Sequence, residues 1–239
     1  MTASSKPVRM ALPSGGSVSA LADVPDRPRA AFVLAHGAGA GMDHPFMGAV
    51  AHGLSERGFA VLRFQFPFVE QGSRRPDPPA TAHAAVRAAV AEAARLWPSL
   101  PLFAGGKSYG GRMSSQAQAL MPLPGVRGLV FFGFPLHPAG KPGTERAQHL
   151  ARVMLPMLFL QGNRDALADP ALMGQTAEAL GTRATLLVLD GADHAFHVLV
   201  RSGRTDAQVM EQLLDAAAGW MVRVGTAAPV RLETPHGCA

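Results

Sequence analysis

The chain has 239 residues, 48% of them apolar and 16% charged, with a net charge of +5. That length allows one domain or two small ones, and the apolar content excludes disorder for the bulk of the chain. The positive charge is dispersed, with no basic run longer than Arg74-Arg75, so the sequence predicts no nucleic-acid partner.

Short apolar runs alternate with helical patterns along the chain. Residues 8–12 and 18–22 predict an antiparallel edge hairpin turning through Pro13-Ser14-Gly15-Gly16. Residues 31–35 read as a buried strand, 45–57 as a helix ended by Gly58, and 59–64 as the next strand. Residues 71–79 read as a surface loop. A helix follows over 81–96, with Val86, Val90 and Leu96 at helical spacing and Pro98 as its stop. Then come a strand at 102–104, a helix at 108–120, a strand at 126–134 and a helix at 144–153. The remaining pattern is a strand at 157–161, a helix at 170–180, a strand at 184–189 and a helix at 203–222. Strands apolar on both sides and separated by helices imply a mostly parallel sheet covered on both faces. The expected fold class is therefore α/β: a doubly wound sheet in one domain over residues 1–225, with a polar tail over 226–239.

The single cysteine, Cys238, excludes an internal disulfide and a cysteine-based zinc site. No apolar leader follows Met1, and the apolar run 129–134 is far short of a membrane span. The expectation is a cytoplasmic protein that contacts no membrane and carries no metal or cofactor. Its oligomeric state stays open.

In a doubly wound sheet, ligands bind beyond the carboxyl ends of the strands. Gly106-Lys107-Ser108-Tyr109-Gly110 stands at such an end and matches G-x-S-x-G, with Ser108 as candidate nucleophile. The motif needs a sharp strand-to-helix turn, and the glycines make room for it. Two rival readings fail. A phosphate loop would need glycine where Pro101 stands, and a dinucleotide loop would need glycine at Met42.

A serine hydroxyl needs a base, and the base needs a carboxylate to orient it. Asp165 and His194 follow Ser108 in the required order, each in the loop after a later strand. His197 competes for the histidine role; Asp169, Asp190 and Asp193 compete for the acid. The oxyanion hole is expected from the backbone N–H groups of Tyr109 and Ala38, and His36 is expected to brace the Gly37–Gly41 loop. Met42, Phe66, Phe68, Tyr109, Leu136 and Phe196 are expected to form an apolar substrate rim, each with a core position as its alternative. Arg112 lies four residues after Ser108, on the same helical face. It either attracts a substrate carboxylate or pairs with a neighbouring acid or carbonyl.

These residues resemble the α/β-hydrolase superfamily from about residue 8 to residue 222. The resemblance is most specific in His36-Gly37, the 106–112 elbow, Gly162-Asn163-Arg164-Asp165 and Gly191-Ala192-Asp193-His194-Ala195-Phe196. The elbow and Arg63-Phe64-Gln65-Phe66-Pro67 are similar to a small branch without a cap domain. That branch includes bacterial hydrolases, a testis-expressed protein and a subunit of a histone acetyltransferase complex. The Asp-His-Ala-Phe end is also similar to dienelactone hydrolases, which usually carry cysteine where this chain has Ser108. The resemblance implies a Ser–His–Asp hydrolase acting on a small-molecule acyl substrate (ester, thioester or amide), and names no substrate. A non-catalytic interaction scaffold on the same fold is the alternative.

Overall fold

The computed structural model describes residues 5–226. The tail expected over 226–239, with Cys238, lies outside them apart from Thr226, as do residues 1–4 of the expected leaderless N-terminus.

Eight strands form one sheet in the order β1-β2-β4-β3-β5-β6-β7-β8. The hairpin β1 (Lys6–Ala11) and β2 (Ser17–Asp23) turns through Gly15 and Gly16, both left-handed, and runs antiparallel. β2 also pairs antiparallel with β4 (Phe59–Phe64). All other pairings are parallel, through β3 (Ala30–Ala35), β5 (Leu102–Lys107), β6 (Val126–Phe132), β7 (Met157–Gly162) and β8 (Ala184–Leu189).

Because side chains alternate across a strand, the continuous apolar runs divide between two cores. Phe32, Leu34, Val61, Phe132 and Leu160 face α1 (Pro45–Glu56) and the last helix, α6 (Asp206–Thr226). Ala31, Val33, Ala35, Leu62 and Phe131 face the opposite layer. That layer holds α3 (Pro79–Leu96), α4 (Tyr109–Leu120) and α5 (Pro170–Leu180).

The boundaries differ from the sequence pattern in physically readable ways. A single helical turn not anticipated, α2 (Pro67–Glu70), follows β4, with Pro67 at its first position, where a missing N–H costs nothing. Pro79 likewise heads α3 two residues before the expected start. The expected helix at 144–153 is a 3-10 helix, Glu145–Arg152. The expected strand at 126–134 ends at Phe132, because Gly133 takes a left-handed φ of 69°. The last helix starts at Asp206 rather than 203, since Gly203 is left-handed and closes a short 3-10 turn, Val200–Ser202. No cap domain intervenes between β6 and β7 among the described residues. The connection holds only the 3-10 helix. No described helix is long and apolar enough to cross a membrane.

Candidate active site

The central strand β5 delivers Ser108 to the carboxyl edge of the sheet. Ser108 has φ 51° and ψ −113°, a conformation that L-residues rarely adopt, and α4 begins at the next residue. Two glycines make the turn possible by close approach. A Cβ on Gly106 or on Gly110 would collide with the backbone carbonyl of Ala35 in the neighbouring strand β3. The hydroxyl is thus held on a strained apex where a helix N-terminus begins, which favours developing negative charge.

His194 and Asp165 reach the same apex from the loops after β8 and β7. Ser108 Oγ lies 2.9 Å from His194 Nε2, and His194 Nδ1 lies 2.7 Å from Asp165 Oδ2. A carboxylate only accepts, so Nδ1 carries the proton and Nε2 is left to accept from the serine hydroxyl. The Asp165 side chain is fully buried. It also accepts from Gln161 Nε2 at 2.6 Å and from the Leu167 backbone N–H at 2.8 Å. These donors stabilise a charge that burial alone would penalise.

Every competing residue is otherwise engaged. His197 is exposed and pairs with Asp206 at 2.6 Å. Asp193 accepts from the N–H groups of Ala195 and His197, folding the His194 loop. Asp190 accepts from Asn163 Nδ2 at 2.7 Å and so ties the two loops together. Asp169 caps α5, accepting from Ala171 and Leu172.

The loop after β3 covers the apex. His36 is fully buried; its Nδ1 donates to the Gly37 carbonyl at 2.8 Å, and its Nε2 accepts from the Phe66 N–H at 3.0 Å. Burial pushes the His36 pKa down to about 4, and the bond to Gly37 offsets this only in part, so the ring is neutral and works as a brace. Arg63 ties the same loop from β4. It donates to the Met42 carbonyl at 2.9 Å and to Asp23 at 3.0 Å, in a buried ion pair. The backbone N–H groups of Ala38 and Tyr109 donate to no backbone acceptor among the described residues.

Of the expected apolar rim, Tyr109 does line a cleft beside Ser108, and the others take the core position that was their alternative. Met42, Phe66, Phe68, Leu136 and Phe196 are all buried, at 7% exposure or less, and line neither cleft beside Ser108. The α2 turn folds Phe66 and Phe68 inward, where they pack edge-on against Tyr109 and beside His36. Phe196 stacks on Phe46 at 5.8 Å. The clefts have other walls. One, of about 290 Å³, is bounded by Ala38, His44, Phe46, Met47, Lys107 and His194. The other, of about 420 Å³, runs past Ser108 and Tyr109 to Arg112, Arg146, Asp77 and Pro135. No ion pair among the described residues engages Arg112, so of the neighbouring acid or carbonyl expected as its structural partner, the acid is not found there.

Lys107 is the residue that sequence reasoning missed. Its ammonium donates to the His194 backbone carbonyl and lies over the Phe196 ring at 4.8 Å and the Phe46 ring at 5.6 Å. Burial pushes its pKa down to about 8, against the pull of Asp165 and Asp193. The only sequence signal was its place before the nucleophile.

Known structures share this architecture. A lid-less α/β serine hydrolase from Xanthomonas campestris aligns over 96% of this chain and 99% of its own, with 22% identity and a TM-score of 0.73. A dienelactone hydrolase from Anabaena variabilis aligns over 93% and 99%, with 18% identity and a TM-score of 0.76. An α/β serine hydrolase homologue from Coxiella burnetii aligns over 90% and 98%, with 20% identity and a TM-score of 0.72. At such identities the likeness is one of fold. Residues 28–222 match the family described as Alpha/beta hydrolase domain, and with the fold, the strained elbow and the sheet order all in agreement, the chain belongs to that family.

Proposed function

We propose that the protein is a serine hydrolase that cleaves a small carboxylic ester, thioester or amide through Ser108, His194 and Asp165. The observation that carries the reading is the unbroken chain from Ser108 Oγ to His194 at 2.9 Å and on to Asp165 at 2.7 Å. Ser108 Oγ attacks the carbonyl carbon while its proton passes to His194 Nε2. The new oxyanion accepts from the Tyr109 and Ala38 N–H groups, which are free of backbone acceptors. Collapse breaks the bond to the leaving group, which takes the proton from His194. Water, deprotonated by the same ring, then releases the acid from the acyl-enzyme.

The Gly106–Arg112 elbow and the Arg63–Pro67 segment support a finer placement in the small uncapped branch that includes the testis-expressed protein and the acetyltransferase-complex subunit. That branch keeps the scaffold alternative in view, and one experiment separates the two. A fluorophosphonate probe labels Ser108 of an active hydrolase, and Ser108→Ala abolishes both labelling and turnover of 4-nitrophenyl butyrate. A folded wild-type chain that takes no label is a scaffold.

A further inference from the structure

Two of the four buried side-chain polar atoms that lack any hydrogen-bond partner, among the described residues, are Tyr109 Oη and Arg112 Nε. Both residues line the larger cleft beside Ser108, and the Arg112 guanidinium lies 5.9 Å from the Tyr109 ring centre. Buried donors without partners are costly, and a pair of them on one wall marks the place of a missing acceptor. The charge agrees. Arg112 and Arg146 both line this cleft, and burial, then the charge of Arg146, lowers the Arg112 pKa; Asp77 is the one acid among the lining residues. One Asp77 oxygen is occupied by the Phe68 N–H at 2.9 Å, and no ion pair joins Asp77 to either arginine. Arg146 spends one donor on the His137 carbonyl at 3.1 Å and keeps the rest. The Tyr109 hydroxyl stays protonated, its pKa pushed up to about 12 chiefly by burial, so it remains a donor.

Chemistry assigns the two clefts to the two halves of the substrate. The leaving group must end beside the proton on His194, and His194 lines only the smaller cleft. The larger cleft therefore takes the acyl chain. Helical side chains lean toward the helix N-terminus, so Arg112 reaches back over the turn that carries Ser108. One helical turn, about 5.4 Å, separates the two positions, which suits an acyl chain of about four to six carbons.

We propose that this cleft binds a carboxylate at the far end of the acyl chain, so that the preferred substrate is a half-ester (or half-thioester) of a short dicarboxylic acid. The inference rests on the hydrolase reading above. Tyr109 Oη and Arg112 donate to the carboxylate, and Arg146 adds its charge from across the cleft.

The test compares 4-nitrophenyl hemiglutarate with 4-nitrophenyl valerate, which has the same acyl length without the charge. Wild type favours the hemiglutarate in kcat/KM by about tenfold or more, the worth of one charge-assisted hydrogen bond. Arg112→Met removes that preference, Arg112→Lys restores part of it, and Tyr109→Phe lowers it severalfold. Free glutarate raises the melting temperature of wild type more than that of Arg112→Met; Arg146→Gln, on a separate element, reports on the same charge should Arg112→Met fold poorly. Turnover of both esters at a ratio near one, or a ratio that Arg112→Met and Arg146→Gln leave unmoved, overturns the carboxylate subsite while the hydrolase reading stands. If neither ester is cleaved, the hydrolase reading falls. Glutarate stabilisation then decides the carboxylate site alone, and its absence from wild type overturns it.

Discussion

The ammonium of Lys107 donates to the backbone carbonyl of His194, so the residue before the candidate nucleophile holds the loop of the candidate base. The bond joins the end of β5 to the loop after β8, across two intervening strands of the sheet. The imidazole depends on that loop for its approach to Ser108.

Lys107→Met keeps an apolar stem against Phe46 and Phe196 and removes the donor. The expected result is a fall in kcat of about tenfold with little change in KM, the signature of a misplaced group rather than lost binding. Stability moves the other way with pH. The folded-state pKa of about 8 lies below the ordinary lysine value of 10.5, so between those limits the unfolded chain holds the extra proton. The burial cost is therefore fully present below pH 8 and is relieved as pH rises to 10.5. Urea denaturation should show wild type gaining stability relative to Lys107→Met as pH rises across that window; an unchanged kcat would remove Lys107 from the site.

Asp165→Asn tests the tautomer argument. The asparagine amide can present its N–H to His194 Nδ1, which then accepts, moving the ring proton to Nε2 and leaving no acceptor for the Ser108 hydroxyl. Turnover of a short aryl ester should fall by about four orders of magnitude, as in a serine protease triad. A loss below tenfold would pass the acid role to another residue.

The order Ser108, Asp165, His194 and the elbow glycines were legible because they are local: a strand end, a small-residue turn, a loop after a strand. The sheet was legible for the same reason, since runs such as residues 31–35 and 157–161 are apolar on both faces. The cleft walls were not. Phe66 and Phe68 follow a strand just as a rim residue would, and only the turn at Pro67–Glu70 decides that they point into the core. The Lys107 contact and the orphaned Arg112 Nε depend on where distant loops close, which no local pattern records.

His36 makes the fold sensitive to acid. Its folded pKa of about 4 lies below the ordinary 6.5, so between those values the unfolded chain binds the extra proton and folding loses free energy as pH falls. The loss is on the order of 3 kcal/mol for a shift of this size. His149, also held at about 4 by burial and by nearby Arg112, adds to it in the same direction. The urea midpoint should drop steadily from pH 6.5 towards pH 4, less steeply in His36→Asn. A midpoint unchanged from pH 7 to pH 4.5 would contradict the buried neutral ring.

Arg63 offers the last test, because it separates loop support from chemistry. It touches neither Ser108 nor either cleft, yet it anchors the Met42 carbonyl and neutralises the buried Asp23. Arg63→Met leaves that carboxylate with the Ser5 hydroxyl but no counter-charge, and removes one tie from the loop that carries the Ala38 N–H. Breaking one side of a buried pair typically costs about 3–5 kcal/mol, so a marked fall in the denaturation midpoint is expected. The double variant Arg63→Met, Asp23→Leu removes both charges and should recover much of that stability, since replacing a whole buried pair by apolar groups is often near neutral. The catalytic defect should persist in the double variant, because the Met42 carbonyl still lacks the Arg63 donor, and the loop keeps only its His36 and Gln65 ties. Full recovery of both stability and kcat would mean that Arg63 serves the fold alone.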